Sequence, residues 1–546
     1  MAGGHVTGST LRFVRVGALV MLGVAGGWST TAQAQSRVVD AVRAGDTAAA
    51  RRLLVRKVDV NVAEADGTTA LHWAVRAGDA DLVAALLKAG AKASTANRYG
   101  VTPLALAATN GDARTIELLL GAGANVNDAG AEGQTPMLLA ARSGNAAAIR
   151  ALAARGADVN AGEKWMGETP LMWASAENHA AAVRTLVELG AKVDARSGTV
   201  KYPAQKPADP SNYVTSSVPA GQWTALMYAA RQGATDVART LLELGANVNV
   251  QDPEGYTPLL EAIVNGHFDL AAELVNRGAN PNLADKSGMA ALYATIEMRT
   301  PPWERSRPDI KENDVLDCVD LMKVLIAHGA NVNQPLTART LQRYHANGPA
   351  FFGPGTTPLM RAAKYDNRDM VELLVQNGAD VRAVQPDGTN ALMLAAGIKY
   401  AITQEGDPEK SGTADDAYEI ARLLLDRGVD VNAANAKGET ALYGAAFTGR
   451  NRMLSYLVER GARLDAKTKQ DLTILDAALN IGVSDDGTGS RVGGKPGEST
   501  VTLVKSLMAK AGLSATSAAS KDNVEVLGTR PERQQNPAAP ANGSGR

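Results

Sequence analysis

Between Gly100 and Glu132 the apolar and polar positions follow an order that predicts two short helices and a projecting loop. Thr102-Pro103-Leu104 opens an apolar run from Leu104 to Ala108. Thr can cap a helix N-terminus, and Pro fits the first turn because its missing N–H would have no partner there. After the break at Asn110-Gly111-Asp112, Ile116, Leu119 and Leu120 recur at i, i+3, i+4, the buried stripe of a second helix. Gly123 stands where that helix has to stop in the left-handed conformation. Asn125-Val126-Asn127, Gly130 and Gly133 then supply turn chemistry.

The pattern fills the chain. Its first apolar anchor returns at Leu71, Leu104, Met137, Leu171, Leu226, Leu259, Leu292, Leu359, Leu392, Leu442 and Leu475, in steps of 33 or 34 residues broken by longer ones of 55, 67 and 50. The stopping Gly returns in phase, at Gly90, Gly123, Gly156, Gly190, Gly245, Gly278, Gly329, Gly378, Gly428 and Gly461. A 33-residue period with Thr-Pro-Leu at the first helix and Gly-Ala-Asp/Asn-Val-Asn after the second resembles the ankyrin repeat family over roughly residues 37–513. That resemblance implies an all-α solenoid of helix-turn-helix units with projecting, β-hairpin-like loops. It also implies His-mediated bonding between neighbouring repeats. The sequence keeps the His of the Thr-Pro-Leu-His tetrad only at His72, so packing is expected to take its place elsewhere.

One such unit cannot fold alone. Ordering it costs roughly 1.5 kcal/mol per residue, about 50 kcal/mol in all, and one face of two short helices does not offset that. Stacked neighbours share a continuous core instead. Residues 35–513 are therefore expected to form a single array of about 12 units, terminal caps included, with insertions near 197–221, 300–313, 334–354, 399–415 and 482–499. Arg37 to Arg56 is the expected N-terminal cap, with Lys57 in the place of the stopping Gly. Residues 514–546, rich in Ala, Ser, Pro, Asn and Gly, are expected to be a disordered tail.

Residues 1–34 have the form of a signal peptide. Arg12 and Arg15 make a positive start, Val16 to Ala25 a short apolar core, and Ala32-Gln33-Ala34 a small-x-small cleavage site. The apolar run is short for a bilayer anchor. A periplasmic or secreted monomer, with no membrane attachment after cleavage, is the expectation; a retained anchor is the alternative. Removing the leader's two arginines takes the net charge from −1 to −3, so no basic balance points to nucleic acid. The sole cysteine, Cys318, allows no internal disulfide and is read as a packed thiol.

Catalytic and cofactor motifs are missing. Gly489 to Pro496, GSRVGGKP, approaches a phosphate-binding loop, but Pro496 replaces the metal-binding hydroxyl and the preceding Ile474–Asn480 segment reads as helix rather than strand. The histidines have no ligand spacing, and no nucleophile elbow occurs. No enzyme activity, cofactor or metal is expected. The Asp and Asn residues that recur with the period are expected to bond loop backbone.

In the ankyrin family, loops and inner helices line a partner-binding groove, and the matching positions here are the flanks of each loop Gly and the ends of the first helices. The expected protein-binding residues are Tyr99, Trp165, Met166, Trp223 and Tyr256 on loops, with Arg231 and Tyr365 on inner helices. Trp, Tyr and Arg carry most interface energy. The rings could equally brace neighbouring loops, and Trp73, Trp173 and Tyr228 are read as packing. The expected function is a non-catalytic exported scaffold for a protein partner. A dedicated periplasmic partner or inhibitor of one enzyme is the alternative, and an enzyme with its chemistry in the insertions a weaker one. N-terminal sequencing of the exported chain is expected to begin at Gln35; a chain that still starts at Met1 and sediments with membranes would overturn the cleaved leader.

Overall fold

A computed structural model describes residues 37–200, 220–299, 314–340, 352–399, 412–479 and 498–515. The expected leader, the 300–313 insertion, the phosphate-loop-like stretch, the tail beyond residue 515 and the interiors of the other insertions lie outside the described residues. So do Tyr202, Tyr213, Trp303, Tyr344 and Phe351.

The expected array falls into two compact units, residues 1–299 with 305–350 and residues 300–304 with 351–546. Helix pairs in the first are α1 (Val38–Arg43) with α2 (Thr47–Val55), α3 (Ala70–Arg76) with α4 (Ala80–Lys88), α5 (Pro103–Asn110) with α6 (Ala113–Gly121), and α7 (Pro136–Ser143) with α8 (Ala146–Ala153). They continue as α9 (Pro170–Ala176) with α10 (Ala180–Glu188), α11 (Ala225–Gln232) with α12 (Thr235–Glu243), α13 (Pro258–Val264) with α14 (Phe268–Asn276), and α15 (Ala291–Arg299) with α16 (Cys318–Ala327). The second unit holds α17 (Pro358–Lys364) with α18 (Arg368–Gln376), α19 (Ala391–Ala396) with α20 (Ala414–Asp426), α21 (Ala441–Thr448) with α22 (Asn451–Glu459), and α23 (Ile474–Ala478) with α24 (Glu498–Lys510). Within each unit the first helices of consecutive pairs pack on one another and so do most of the second helices, which makes each a solenoid stack. Paired strands among the described residues are limited to β1 (Thr199–Val200) and β2 (Ala220–Gly221), antiparallel at the base of the 197–221 insertion.

Local sequence sets these boundaries. Thr102, Thr135, Thr169, Thr257 and Thr357 each accept, at 3.1–3.4 Å, the backbone N–H three residues on, with Pro next in the chain. Asp46, Asp79, Asp112 and Asn145 cap second helices in the same way at 2.7–3.1 Å. Such caps satisfy backbone donors that the helix leaves orphaned. Gly123 ends α6 at φ +89°, and Lys57 adopts φ +53° where the first repeat lacks that Gly. Ile116, Leu119 and Leu120 are buried as the pattern requires, and Cys318 is buried at the start of α16.

Polar groups knit the repeats together in two ways that the pattern alone did not reveal. In six repeats the Asn that closes the Asp/Asn-x-Asn turn reaches into the next repeat rather than its own loop. Asn160 donates Nδ2–H to the carbonyl of Gly190 at 3.1 Å and accepts the Lys192 N–H at 2.9 Å. Asn61, Asn127, Asn249, Asn282 and Asn432 repeat that double bond with the next stopping Gly. The first residue of each turn keeps the expected local role, as Asp158 does in accepting the Asn160 N–H at 2.8 Å.

Histidine bonding also survives beyond the tetrad. His72 accepts from the Thr69 N–H through Nδ1 and bonds the Val101 carbonyl through Nε2 at 3.0 Å, and burial lowers its pKa. His179 and His267, at the start of α10 and α14, bond the preceding repeat's Arg142 and Arg231 carbonyls at 3.0 and 3.1 Å. Each ring lies against the left-handed Gly144 or Gly233, where an added Cβ would come within 2.5 and 2.4 Å of it.

Replacing Asn160 with Ala removes both bonds of one bridge, at a cost of about 1–2 kcal/mol in this exposed setting. Hydrogen exchange is expected to speed up on both sides of the α8–α10 seam; unchanged protection there would show that packing alone holds the seam.

Candidate functional site

The projecting loops are linked edge to edge by backbone bonds. In the first unit Arg98 N–H donates to the Asp66 carbonyl at 2.7 Å, Lys164 N–H to Glu132 at 3.3 Å and Lys286 N–H to Glu254 at 2.9 Å. Each loop is also closed on itself by one antiparallel bond, as Asp252 N–H to the Tyr256 carbonyl at 3.0 Å.

Burial sorts the expected binding residues into two groups. Tyr99, before the loop Gly100, is 62% exposed, and Trp165 at its own loop tip is 77% exposed. Tyr256, after Gly255, is only 5% exposed. Its backbone N–H is held by Asp252 Oδ1 at 2.8 Å. Met166 is 8% exposed, although it precedes Gly167. The repeat here is one residue longer, so Trp165 takes the tip and Met166 turns in, its carbonyl accepting the Gly198 N–H. Tyr365, at the end of α17, is 8% exposed against Phe352 (centroids 6.0 Å apart), with Arg361 4.7 Å from its ring centre. Met166, Tyr256 and Tyr365 are thus packing residues in this structure, because sequence position relative to Gly does not by itself give the facing.

Trp223 is half-buried and braces two loops. Its Nε1–H donates to Asp252 Oδ2 at 3.2 Å, its edge meets Tyr228 at 5.3 Å, and Arg231 lies 5.4 Å over its face. Ser197 bonds its backbone on both sides. Arg231 is half-buried as well, oriented by this stacking.

The inner helices carry a ladder whose rings the residue pattern alone assigns to the core. Trp73, Leu106, Leu139, Trp173 and Tyr228 hold the same position on α3, α5, α7, α9 and α11, and each is half-exposed. The residues on either side of them are buried, apart from the half-exposed Ala105 beside Leu106. Helical spacing held the signal: this position and the one three further on, Arg76, Arg142 or Arg231, share the face opposite the packed one. Rings and charges on this face fix each other. Trp73 Nε1–H donates to Glu64 at 3.0 Å with Arg76 5.4 Å over its face, and Arg142 stands 5.5 Å over Trp173. Tyr228 donates its hydroxyl to Glu168; burial first, and that carboxylate second, hold its phenol well above the ordinary range.

From α13 onward the inner face is closed. Glu261 on α13 and Thr295, Glu297 and Met298 on α15 are buried. In the second unit Arg361 lies between Phe352 and Tyr365, and Lys364 donates to the Ile398 and Lys399 carbonyls at 3.3 and 2.8 Å. Asp366 and Arg450 form a bidentate pair at 2.8 and 2.7 Å. Among the described residues no group of three or more His, Cys, Asp or Glu is placed to hold a metal, and no helix is long and apolar enough to cross a membrane.

Profiles described as ankyrin repeats match residues 38–130, 106–197, 198–285, 317–403 and 414–458, and the chain belongs to the ankyrin repeat family. Ankyrin repeats are protein–protein interaction scaffolds. Among similar curated proteins is human ankyrin repeat and SOCS box protein 6, 32% identical over 165 residues, 29% of this chain and 31% of that one. Another is the Legionella pneumophila phosphocholine transferase AnkX, 24% identical over 165 residues, 30% of this chain and 14% of that one. A third is SAT10 of Stachybotrys chartarum, 34% identical over 116 residues, 21% of this chain and 5% of that one. The matches thus span less than a third of each of these relatives. The crystal structure of the human ASB11 ankyrin repeat domain is matched over all of its length and 45% of this chain, at 26% identity and a TM-score of 0.37.

Asp285, in the loop before α15, gives a pH prediction. Oδ1 accepts from Ser287 N, Ser287 Oγ and Met289 N, while Oδ2 is buried without a hydrogen-bond partner. Burial is the first cause that pushes its pKa up to about 6, with the Glu297 charge adding to it. A carboxyl whose folded pKa exceeds its unfolded one binds its proton more tightly when folded, so its effect on stability improves as pH falls from above 6 toward 4. Asp285→Asn is expected to flatten this part of the stability profile and to melt no lower than the parent at pH 7.5. Melting curves at pH 5 and 7.5 check it; an unchanged pH dependence would overturn it.

Proposed function

We propose that the chain is an exported, non-catalytic scaffold that holds a protein partner on the open inner face and loop tips of its first unit. The observation that carries this reading is the contrast along that unit. From α3 to α11 the inner face presents half-exposed rings and aliphatic side chains, with Tyr99 and Trp165 exposed above it, whereas from α13 onward it is buried. Large apolar side chains left exposed on an otherwise packed frame mark interaction sites. The frame is suited to holding a partner: loops tied by backbone bonds lose little freedom on binding, and less ordering has to be offset by contacts. The absence of a paired nucleophile, base or metal-ligand motif in the sequence supports a non-catalytic role. Export rests on the leader-like residues 1–34.

The test separates anchors from struts. A protein that co-purifies stoichiometrically from the native exported fraction is measured against Tyr99→Ala, Trp165→Ala and Tyr256→Ala. Tyr99→Ala and Trp165→Ala are expected to keep the melting temperature and lose about 2 kcal/mol of binding or more, while Tyr256→Ala melts earlier and binds normally once folded. Unchanged binding by both exposed-residue variants would overturn this placement.

A further inference from the structure

Resting on that reading, we infer that the segment held on the open inner face is an acidic polypeptide whose carboxylates alternate with apolar side chains. The charges on this face are unequally spent. Arg76 lies 5.4 Å over Trp73, Arg98 5.3 Å over Tyr99 and Arg231 5.4 Å over Trp223, and among the described residues none of the three forms an ion pair. The neighbouring carboxylates are engaged already. Glu64 takes the Trp73 indole N–H at 3.0 Å and pairs with Arg43 at 2.7 Å. Glu168 takes the Tyr228 hydroxyl, and Asp252 takes the Trp223 indole N–H and two backbone N–H groups.

A guanidinium stacked on a ring is held in orientation with its N–H edge outward, the geometry for bidentate capture of a carboxylate. Between Arg76 and Arg231 run Leu106, Leu139, Trp173 and Tyr228, which offer apolar contact. Four helix-to-helix steps of about 10 Å separate α3 from α11, so an extended segment of roughly 12 residues spans them. A nucleic acid fits less well. It has no side chains for Leu106 and Leu139, and Arg76 and Arg231 already cover the ring faces on which its bases would stack.

The experiment uses the full chain and a phage-displayed library of random peptides about 16 residues long. Enriched peptides are expected to combine Asp or Glu with Leu, Ile or aromatic residues. A fluorescent copy of the most enriched one is expected to bind about tenfold more weakly to Arg76→Gln and to Arg231→Gln, to weaken with added salt, and to leave the melting curves of both variants unchanged. Enriched peptides with no acidic bias, yet weakened by Trp173→Ala, would overturn the acidic assignment and leave the inner-face reading standing. Acidic peptides indifferent to Arg76→Gln, Arg231→Gln and Trp173→Ala, or no enrichment at all, would overturn both. Displacement of the peptide by single-stranded DNA of equal charge would overturn the choice of a polypeptide.

Discussion

The structure depends on one recurring problem, a helix end that its own repeat cannot satisfy. Most second helices stop at a left-handed Gly, and in six seams its carbonyl faces the preceding repeat, whose bridging Asn meets it with a donor while accepting the N–H two residues on. An amide side chain is suited to this because it offers donor and acceptor together. Where the residue changes, the bridge thins. Ser94 keeps only a bond to the Gly123 carbonyl at 3.2 Å. Asp194, just before the first long insertion, keeps only the acceptor half, to Asn247 N–H at 3.1 Å. Small inner-helix residues such as Ala74, Ala107, Ala140 and Ala174 are fully buried and let consecutive helices close up between the bridges.

With the seams fixed in this way, the inner helices have one face left over, and the two ends of the chain treat it differently. From α3 to α11 it is finished with Leu106, Leu139 and three rings, and each ring is fastened by a carboxylate or covered by an arginine, which holds the half-exposed surface in place. From α13 on it is closed over buried charges. Arg361 and Lys364 are buried, and Lys364 spends its donors on backbone carbonyls. Asp366 shows how costly such burial is: burial raises its pKa even though Arg450 pulls the other way. The proposed partner contact lies on the first stretch for this reason.

Much of this was legible in the residue pattern. The period, the capping Thr, the Pro after it and the stopping Gly act through local sterics and hydrogen bonding, so they carry their meaning wherever they stand. That is why Ile116, Leu119 and Leu120 are buried and Gly123 is left-handed as expected. The facing of a loop residue is decided differently. Tyr99 and Tyr256 both flank a loop Gly, yet one is exposed and the other buried, so a place beside that Gly does not fix the facing. Met166 turned inward through a single extra residue, a shift that composition does not register. The His bonds at α10 and α14 and the Asn bridges likewise join residues about thirty or more positions apart. By itself the sequence determined the repeat, its helices and the family; only the stacking of one repeat on the next decided which rings stay open and which carbonyls each Asn and His would meet, because those partners exist only once two repeats are in contact.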